Sequence, residues 1–449
     1  MKKQDGQIII IALIFMTLVT VAVGSLVGYA AVQIKGHKQA VARAQALSIA
    51  EAGLEAAVWK LNNQVGYSGE TGTSYSNGSY TITVADIAGN SKLVKAEAVI
   101  GNLGRRTVQA TVATGTTNVA FNYGVQVGEG GLEMVNSSKI IGNVYSNGNI
   151  DGANSARIQG TAVSAEYFIE GMQVDGNATA RSIQNSTIGG SANTYGLASS
   201  TVGGNVVATT MSQCTIGGNA IFDLKVTCTI GGNQTVPNPD EFVDPEKIAM
   251  PISDEQIDAW EEEAEAGGVI SSQNLSDGTT SLGPKKIDGD LILSNDATLI
   301  VTGTLWVTGK IEVKNRAIMR LSESFGTSSG VVISGVDGST TAGYIEIDNT
   351  TQLLGSGTAG SYIMLLSQKE GTGSNAINMK NGTSSAVLYA GEGMIEVNNS
   401  GTLKEVTAYK LRITNTATIT YESGLANAQF SSGPSGGWEI LDQSWQLIQ

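Results

Sequence analysis

Thr187-Ile188-Gly189-Gly190, Thr201-Val202-Gly203-Gly204, Thr215-Ile216-Gly217-Gly218 and Thr229-Ile230-Gly231-Gly232 are four near copies of one tetrapeptide, spaced 14 residues apart. A looser form, Ile or Val two residues before a glycine, extends the series backwards. Its glycines are Gly142, Gly160, Gly176, Gly190, Gly204, Gly218 and Gly232, with steps of 18, 16 and then 14. The matching apolar residues are Ile140, Ile158, Val174, Ile188, Val202, Ile216 and Ile230. A fixed short period of this kind means a solenoid. The unit is too short for a pair of helices and lacks helical periodicity. Stacked β coils fit it, with each Ile or Val pointing inward above the previous one, about 4.8 Å away. The glycine turns the corner, and Asn143, Asn177, Asn205, Asn219 and Asn233 follow it at positions suited to a ladder. A single-stranded β-helix is therefore expected over residues 119–235.

Cys214 and Cys228 fall in the same register, where earlier coils have Ser186 and Ser200. Each stands two residues before an inward Ile and so faces inward. Two readings remain open: buried thiols acting as small hydrophobes, or a disulfide formed outside the cytoplasm, since stacked Cα atoms at about 4.8 Å lie within its range.

Residues 236–268 interrupt the repeat with four of the six prolines, eleven acids and one lysine. Ser253-Asp254-Glu255-Gln256 is a capping box, so a helix is expected from about Asp254 to Ala266, packed through Ile257 and Trp260. The run Glu261, Glu262, Glu263 and Glu265 reads as a solvated face rather than a metal or basic-partner site. The repeat returns at Ile287-Asp288-Gly289, Val301-Thr302-Gly303 and Val307-Thr308-Gly309, the first step again 14. Alternating strands follow at 331–334, 344–347, 362–366, 386–389, 394–397, 408–413 and 417–421. The same solenoid is expected to continue over 269–449 with broader coils. The tail carrying Trp438 and Trp445 would cover its open end.

The other end of the chain differs in kind. Residues 8–32 form an apolar run of 25, interrupted only by Thr17, Thr20, Gly24, Ser25, Gly28 and Tyr29. As a helix it is roughly 37 Å long, enough to span a bilayer of about 30 Å. It is too long for a cleaved secretory signal, despite a competing site at Gly28-Tyr29-Ala30. Residues 33–63 contain no proline, and apolar residues recur on one face at Val41, Leu47, Ala50, Leu54, Ala57, Val58 and Leu61. One continuous membrane and stem helix is expected over 7–65, with Glu51 and Glu55 at the edge of its packed face. Lys2 and Lys3 precede the span while Lys35, Lys38 and Arg43 follow it, so charge does not orient it. The Gly/Ser/Thr/Asn-rich body reads as extracytoplasmic. Over 66–118, strands at 78–84, 93–99 and 107–112, with a turn at Gly101-Asn102-Leu103-Gly104, predict a small antiparallel sheet. The fold class is thus mainly β, led by a long α-helix.

Composition limits the chemistry. Among 449 residues only 15% are charged, the net charge is −14 and the pI is 4.6, which disfavours nucleic-acid binding. His37 is the one histidine and lies beside the membrane, so no Ser-His-Asp set forms in the body. There is no metal-binding Cys cluster, phosphate loop or complete acidic calcium loop. Asp288 and Asp290 are the nearest paired carboxylates, at a spacing that chance often supplies. Neither catalysis nor a cofactor or metal is expected.

The segment Lys2-Lys3-Gln4-Asp5-Gly6-Gln7, the apolar run, and Ala50-Glu51-Ala52-Gly53-Leu54-Glu55 together resemble type IV pilins, most of all the PilX-type minor pilin N-terminus. The resemblance covers about 60 residues. It implies a six-residue leader, cut by a prepilin peptidase between Gly6 and Gln7, and methylation of the new Gln7 amine. It implies that the helix carrying Ile11, Phe15 and Glu51 joins a filament core with other pilins, assembled on an inner-membrane platform. Two positions depart from the family. Gln7 stands where Phe or Met is usual, and Ile11 stands where a Glu pairs with a neighbouring amine. K-type pseudopilins, which cap a tip, resemble this chain in lacking that Glu. The implied function is a tip, priming or adhesive subunit, with a surface receptor or glycan as possible ligand. The competing readings are a plain signal anchor, a membrane-anchored β-helix adhesin or carbohydrate-binding protein outside any filament, and a polymer scaffold, since the repeats also resemble those of bactofilins.

Overall fold

The computed structural model describes residues 5–448 apart from 64–66, 88–90, 115, 120, 382, 385, 400–401, 423–424, 427, 432–437 and 441–443. The chain divides into two compact units, Met1–Gly115 with Gly437–Gln449, and Thr116–Gly436. It is mainly β, with one long N-terminal helix, a small antiparallel sheet and a solenoid of parallel strands.

In the first unit, helix α1 (Asp5–Asn63) is unbroken. It is followed by β1 (Gly69–Tyr75), β2 (Gly78–Ile87), β3 (Ser91–Ile100) and β4 (Gly104–Thr114), an antiparallel meander in chain order. Sequence patterning found β2 to β4 and missed β1. The β1 sequence, Gly-Glu-Thr-Gly-Thr-Ser-Tyr, has no apolar alternation, because it is an edge strand with neither face buried. Trp438–Ile440 and Gln446–Leu447 both pair antiparallel with β4. The tail expected to cover the solenoid's open end therefore extends this sheet instead.

The second unit is the solenoid. One coil contributes Lys139–Ile141, Val144–Ser146 and Ile150–Gly152. The next coil stacks Arg157–Gln159, Ala162–Ser164 and Phe168–Glu170 on them in parallel. In the 14-residue coils the second and third strands merge into one bent strand such as Ala178–Gln184. The inward column runs Ile140, Ile158, Val174, Ile188, Val202, Ile216, Ile230, as the spacing predicts. Left-handed residues turn one corner at Asn185, Ser199, Gln213 and Thr227, with φ of 47–55°. At another corner, the side chains of Asn177, Asn205 and Asn219 each accept a backbone N–H from the next coil at 2.8–2.9 Å. The glycine requirement there is steric. A Cβ on Gly204 would stand 2.7 Å from the Gly190 carbonyl oxygen.

The second repeat region does not continue from where the first one ends. Thr229–Ile230 lies at one end of its sheet and Thr279–Leu282 at the other. The chain enters near the middle at Val125–Met134 and coils outward to Gln234–Thr235. It then crosses to the far end and coils back, until Glu405–Ile413 pairs in parallel with Val125–Met134 and Thr418–Thr420 with Lys139–Ile141. The proline-rich, acidic segment is the return path. It crosses one coil after another through Asn238 on Asp223, Asp244 on Arg181, Ile248 on Asn147, Ala249 on Gln126 and Ile252 on Tyr389. The 14-residue step read at Gly289 also proves not to be a coil. Ile287 pairs with Val307, and Gly309 N–H donates to the Gly289 carbonyl, so the coil there has 20 residues and Val301 belongs to another face. At the outermost coil of the first region, Lys225 occupies the inward column beside Met211 and donates to Gln234. A charged group at that position blunts the open edge.

A second apolar layer covers the outside of one solenoid face. It contains Phe121, Ile252, Ile257, Trp260, Val331, Ile333, Tyr362, Met364, Tyr389 and Phe430. Helix α2 (Asp254–Ala266) belongs to it, capped by Ser253 as expected and buried through Ile257, Trp260 and Ala264. Its acids are not all solvated. Burial raises the Glu261 carboxyl to about 7, and Glu265 pairs with Lys286 at 3.1 Å.

Glu405 is fully buried near this layer. Its Oε1 accepts from the Thr407 hydroxyl at 2.6 Å, and its Oε2 has no partner among the described residues. Burial pushes its carboxyl well above the ordinary value, and the Thr407 hydrogen bond opposes this only in part. Between the unfolded and the raised folded value, the folded chain holds a proton that the unfolded chain has released. Stability therefore falls as pH rises through that window. The stability gained by Glu405→Gln should accordingly grow in thermal melts as pH rises above the ordinary glutamate range. A difference that is flat with pH would show that Glu405 does not titrate on unfolding.

Candidate functional site

The candidate site is helix α1, whose two halves have opposite surroundings. Along its first half every large apolar side chain from Ile10 to Ile34 is exposed, including Ile11 at 65% and Phe15 at 69%. The hydroxyls in this stretch are satisfied within the helix. Thr17 donates to the Ile14 carbonyl, Thr20 to Met16 and Ser25 to Val21, at 2.7–2.8 Å. A hydroxyl bonded in this way carries no unmet polar group into lipid. Gly6 and Gln7 fall within the helix, and the Gln7 side chain lies outside the described residues.

The second half is packed. Ala42, Ala46, Ile49, Ala50, Leu54 and Ala57 are buried, at i, i+4, i+7, i+8, i+12 and i+15. All but Ala42 meet Tyr80 and Ile82 of β2, Val94, Ala96 and Ala98 of β3, and Val108, Ala110 and Val112 of β4, while Ala42 lies against Gly104. The alanines on both sides let the helix lie close to the sheet. Gly53 does the same for one ring, since a Cβ there would be 3.1 Å from Tyr80 Cγ. Val41, assigned to the packed face from its spacing, is 42% exposed, and Ala42 takes the buried place. Glu51 is half-buried at the edge of that face and Glu55 is exposed.

In the solenoid, Cys214 and Cys228 form a disulfide between adjacent coils, with Cα atoms 4.5 Å apart. Asp290 Oδ1 accepts the Lys310 N–H at 3.0 Å and Asp288 accepts from the Thr308 hydroxyl, so both support the coil corner. Asp337, Glu370 and Glu392 bring carboxylate oxygens within 4.8 Å of one another, a grouping that the sequence did not reveal because the three lie on different coils.

No protein-family model and no curated protein matches the chain. Among solved structures, the chain is similar to the competence-associated pilin ComZ from Thermus thermophilus. The match covers 91% of this chain and 98% of that one, at 13% identity and a TM-score of 0.25.

Proposed function

We propose that the chain is a non-enzymatic minor pilin or pilin-like subunit of a type IV pilus or a related filament. The observation supporting this is the division of α1. One uninterrupted helix carries a bare apolar half, long enough to cross a bilayer, and a half with a small-residue face seated on a small antiparallel sheet. A soluble protein has no use for the first half, and a plain signal anchor has no use for the second. In this reading the bare half lies in the cytoplasmic membrane before assembly and among the helices of other pilins after it. The β body is displayed outside. Ile11, apolar where a shaft subunit carries an acid, supports a place at the tip or in priming, and the solenoid supplies a rigid surface suited to adhesion.

N-terminal mass spectrometry of the protein from membranes tests the reading. Cells with prepilin peptidase should give a chain that starts at N-methylated Gln7, and cells without it should give one that retains the leader. An intact Met1 in both strains would favour a membrane-anchored adhesin outside any filament, and a start near Ala31 would make the helix a removed signal.

A further inference from the structure

Between Gln7 and Ala50 the charged side chains are Lys35, Lys38 and Arg43, all basic, in a chain of net charge −14. The β3–β4 hairpin reaches the same level of the helix. A Cβ on Gly104 would stand 2.6 Å from the Ala42 carbonyl oxygen and 3.0 Å from Arg43 N, so the hairpin tip rests against α1. Beside this contact, Arg43, Asn102, Leu103, Arg105 and Arg106 line an open cavity of about 590 Å³. Leu103 is 45% exposed at the tip. Arg105 pairs with Glu97 at 2.6 Å yet leaves two thirds of its side chain open. Arg43 is exposed as well.

We propose that this hairpin tip and the adjoining helix face form a docking surface for anionic phospholipid headgroups, with Leu103 as the apolar wedge and Arg43, Arg105 and Arg106 holding the phosphates. The inference rests on reading the first half of α1 as a membrane span. Continuity with that span identifies the occupant. Ile34 ends the bare apolar run, and nine residues at 1.5 Å each put Arg43 about 14 Å further along. Lys35 and Lys38 lie at the hydrocarbon edge, and arginine side chains one layer further out reach back to the headgroups. Basic residues so placed are drawn to an anionic surface, and the attraction fades within a Debye length. The effect would be to fix the tilt of the small sheet on the membrane before the helix is extracted.

The two native cysteines are joined to each other, so Leu103→Cys supplies a single free thiol for a polarity-sensitive fluorophore on the full chain. The chain is reconstituted into vesicles of phosphatidylcholine alone, or with one third phosphatidylglycerol. Protease protection of α1 reports insertion in each. With the anionic lipid, the label should shift to the blue and be quenched by brominated lipids about twofold more strongly. Arg105→Gln with Arg106→Gln should abolish that difference while α1 stays protected. Equal signals in both vesicles, or an unaltered difference in the double variant, would overturn the proposal and leave the span intact. Reproduction of the shift by inorganic phosphate over phosphatidylcholine would make it a phosphate site and overturn the lipid assignment. Loss of protection in both vesicles would remove the span itself, and the proposal with it.

Discussion

Leu411→Asp is expected to unfold the solenoid while the small sheet and its helix remain folded. Leu411 is fully buried in the strand that closes the seam, between Ile395 on one side and Leu132 on the other. The column continues through Ile377 and Ile345 in one direction and through Ile150, Ile169, Ile183 and Leu197 in the other. A carboxylate placed there meets only aliphatic neighbours one coil away on each side. It loses the transfer free energy of a leucine, roughly 2–3 kcal/mol. It also adds the cost of a buried charge or of its forced protonation, several kcal/mol more. The total reaches the whole stability of many domains, about 5–15 kcal/mol. The position is worse than one near an end, because a solenoid can fray from its ends but not from its middle. The neighbouring Arg412 points outward to Glu133 and Glu396, so Arg412→Asp should cost far less. Calorimetry should show loss of the solenoid transition in the first variant and a modest shift in the second. Comparable melts for both would mean that the two repeat regions are not joined through this strand.

What the sequence revealed and what it concealed divide along one physical line. An inward column needs the same kind of residue in every coil. Ile140 to Ile230 therefore announced both the coil length and the register, and Cys214 and Cys228 could be placed on adjacent coils before any coordinate. A corner needs only a small or left-handed residue, and many sequences supply one. That is why Gly303 looked like the next corner after Gly289, although Gly309 is the residue stacked on it. The order of the two regions was not legible for a related reason. The Glu405–Ile413 strand carries no mark that its partner is Val125–Met134, more than 270 residues away, because any inward Ile or Leu stacks equally well on another. The return path was legible as an interruption but not as a structural element. Its hydrogen bonds to Asn147, Gln126 and Tyr389 run through backbone carbonyls, which leave no trace in residue type. On α1 the long apolar run fixed the bare half without ambiguity. The packed half was read one residue out at Val41, because Ala42, which carries the contact, is too small to mark a hydrophobic face.

Leu54→Asp is expected to do to the small unit what Leu411→Asp does to the solenoid. Leu54 is 2% exposed in the helix–sheet core, where the other fully buried helix residues are Ala46, Ile49, Ala50 and Ala57, with Leu47, Ala56, Val58 and Leu61 packed partly buried around them. Three of those four are alanines, so Leu54 and Ile49 are the large side chains that the stem buries fully. Leu47, Val58 and Leu61 sit at the margin of the interface and remain partly open to water. Truncation alone would cost roughly 2–5 kcal/mol, and an aspartate adds the desolvation of a charge facing Val94, Val108 and Val112. A helix half without its sheet has only local propensity to hold it, and isolated helices of that length are marginal in water. Limited proteolysis of the membrane-inserted variant should therefore cut within residues 35–63, where the unaltered chain resists, and the solenoid melt should not move. A neighbouring change on the open side, Glu55→Ala, should leave the stem resistant, since Glu55 is exposed. If the Leu54 variant keeps a resistant stem, the helix is rigid without its sheet. The division of α1 would then no longer favour a pilin over an anchor that merely ends in a helical stalk.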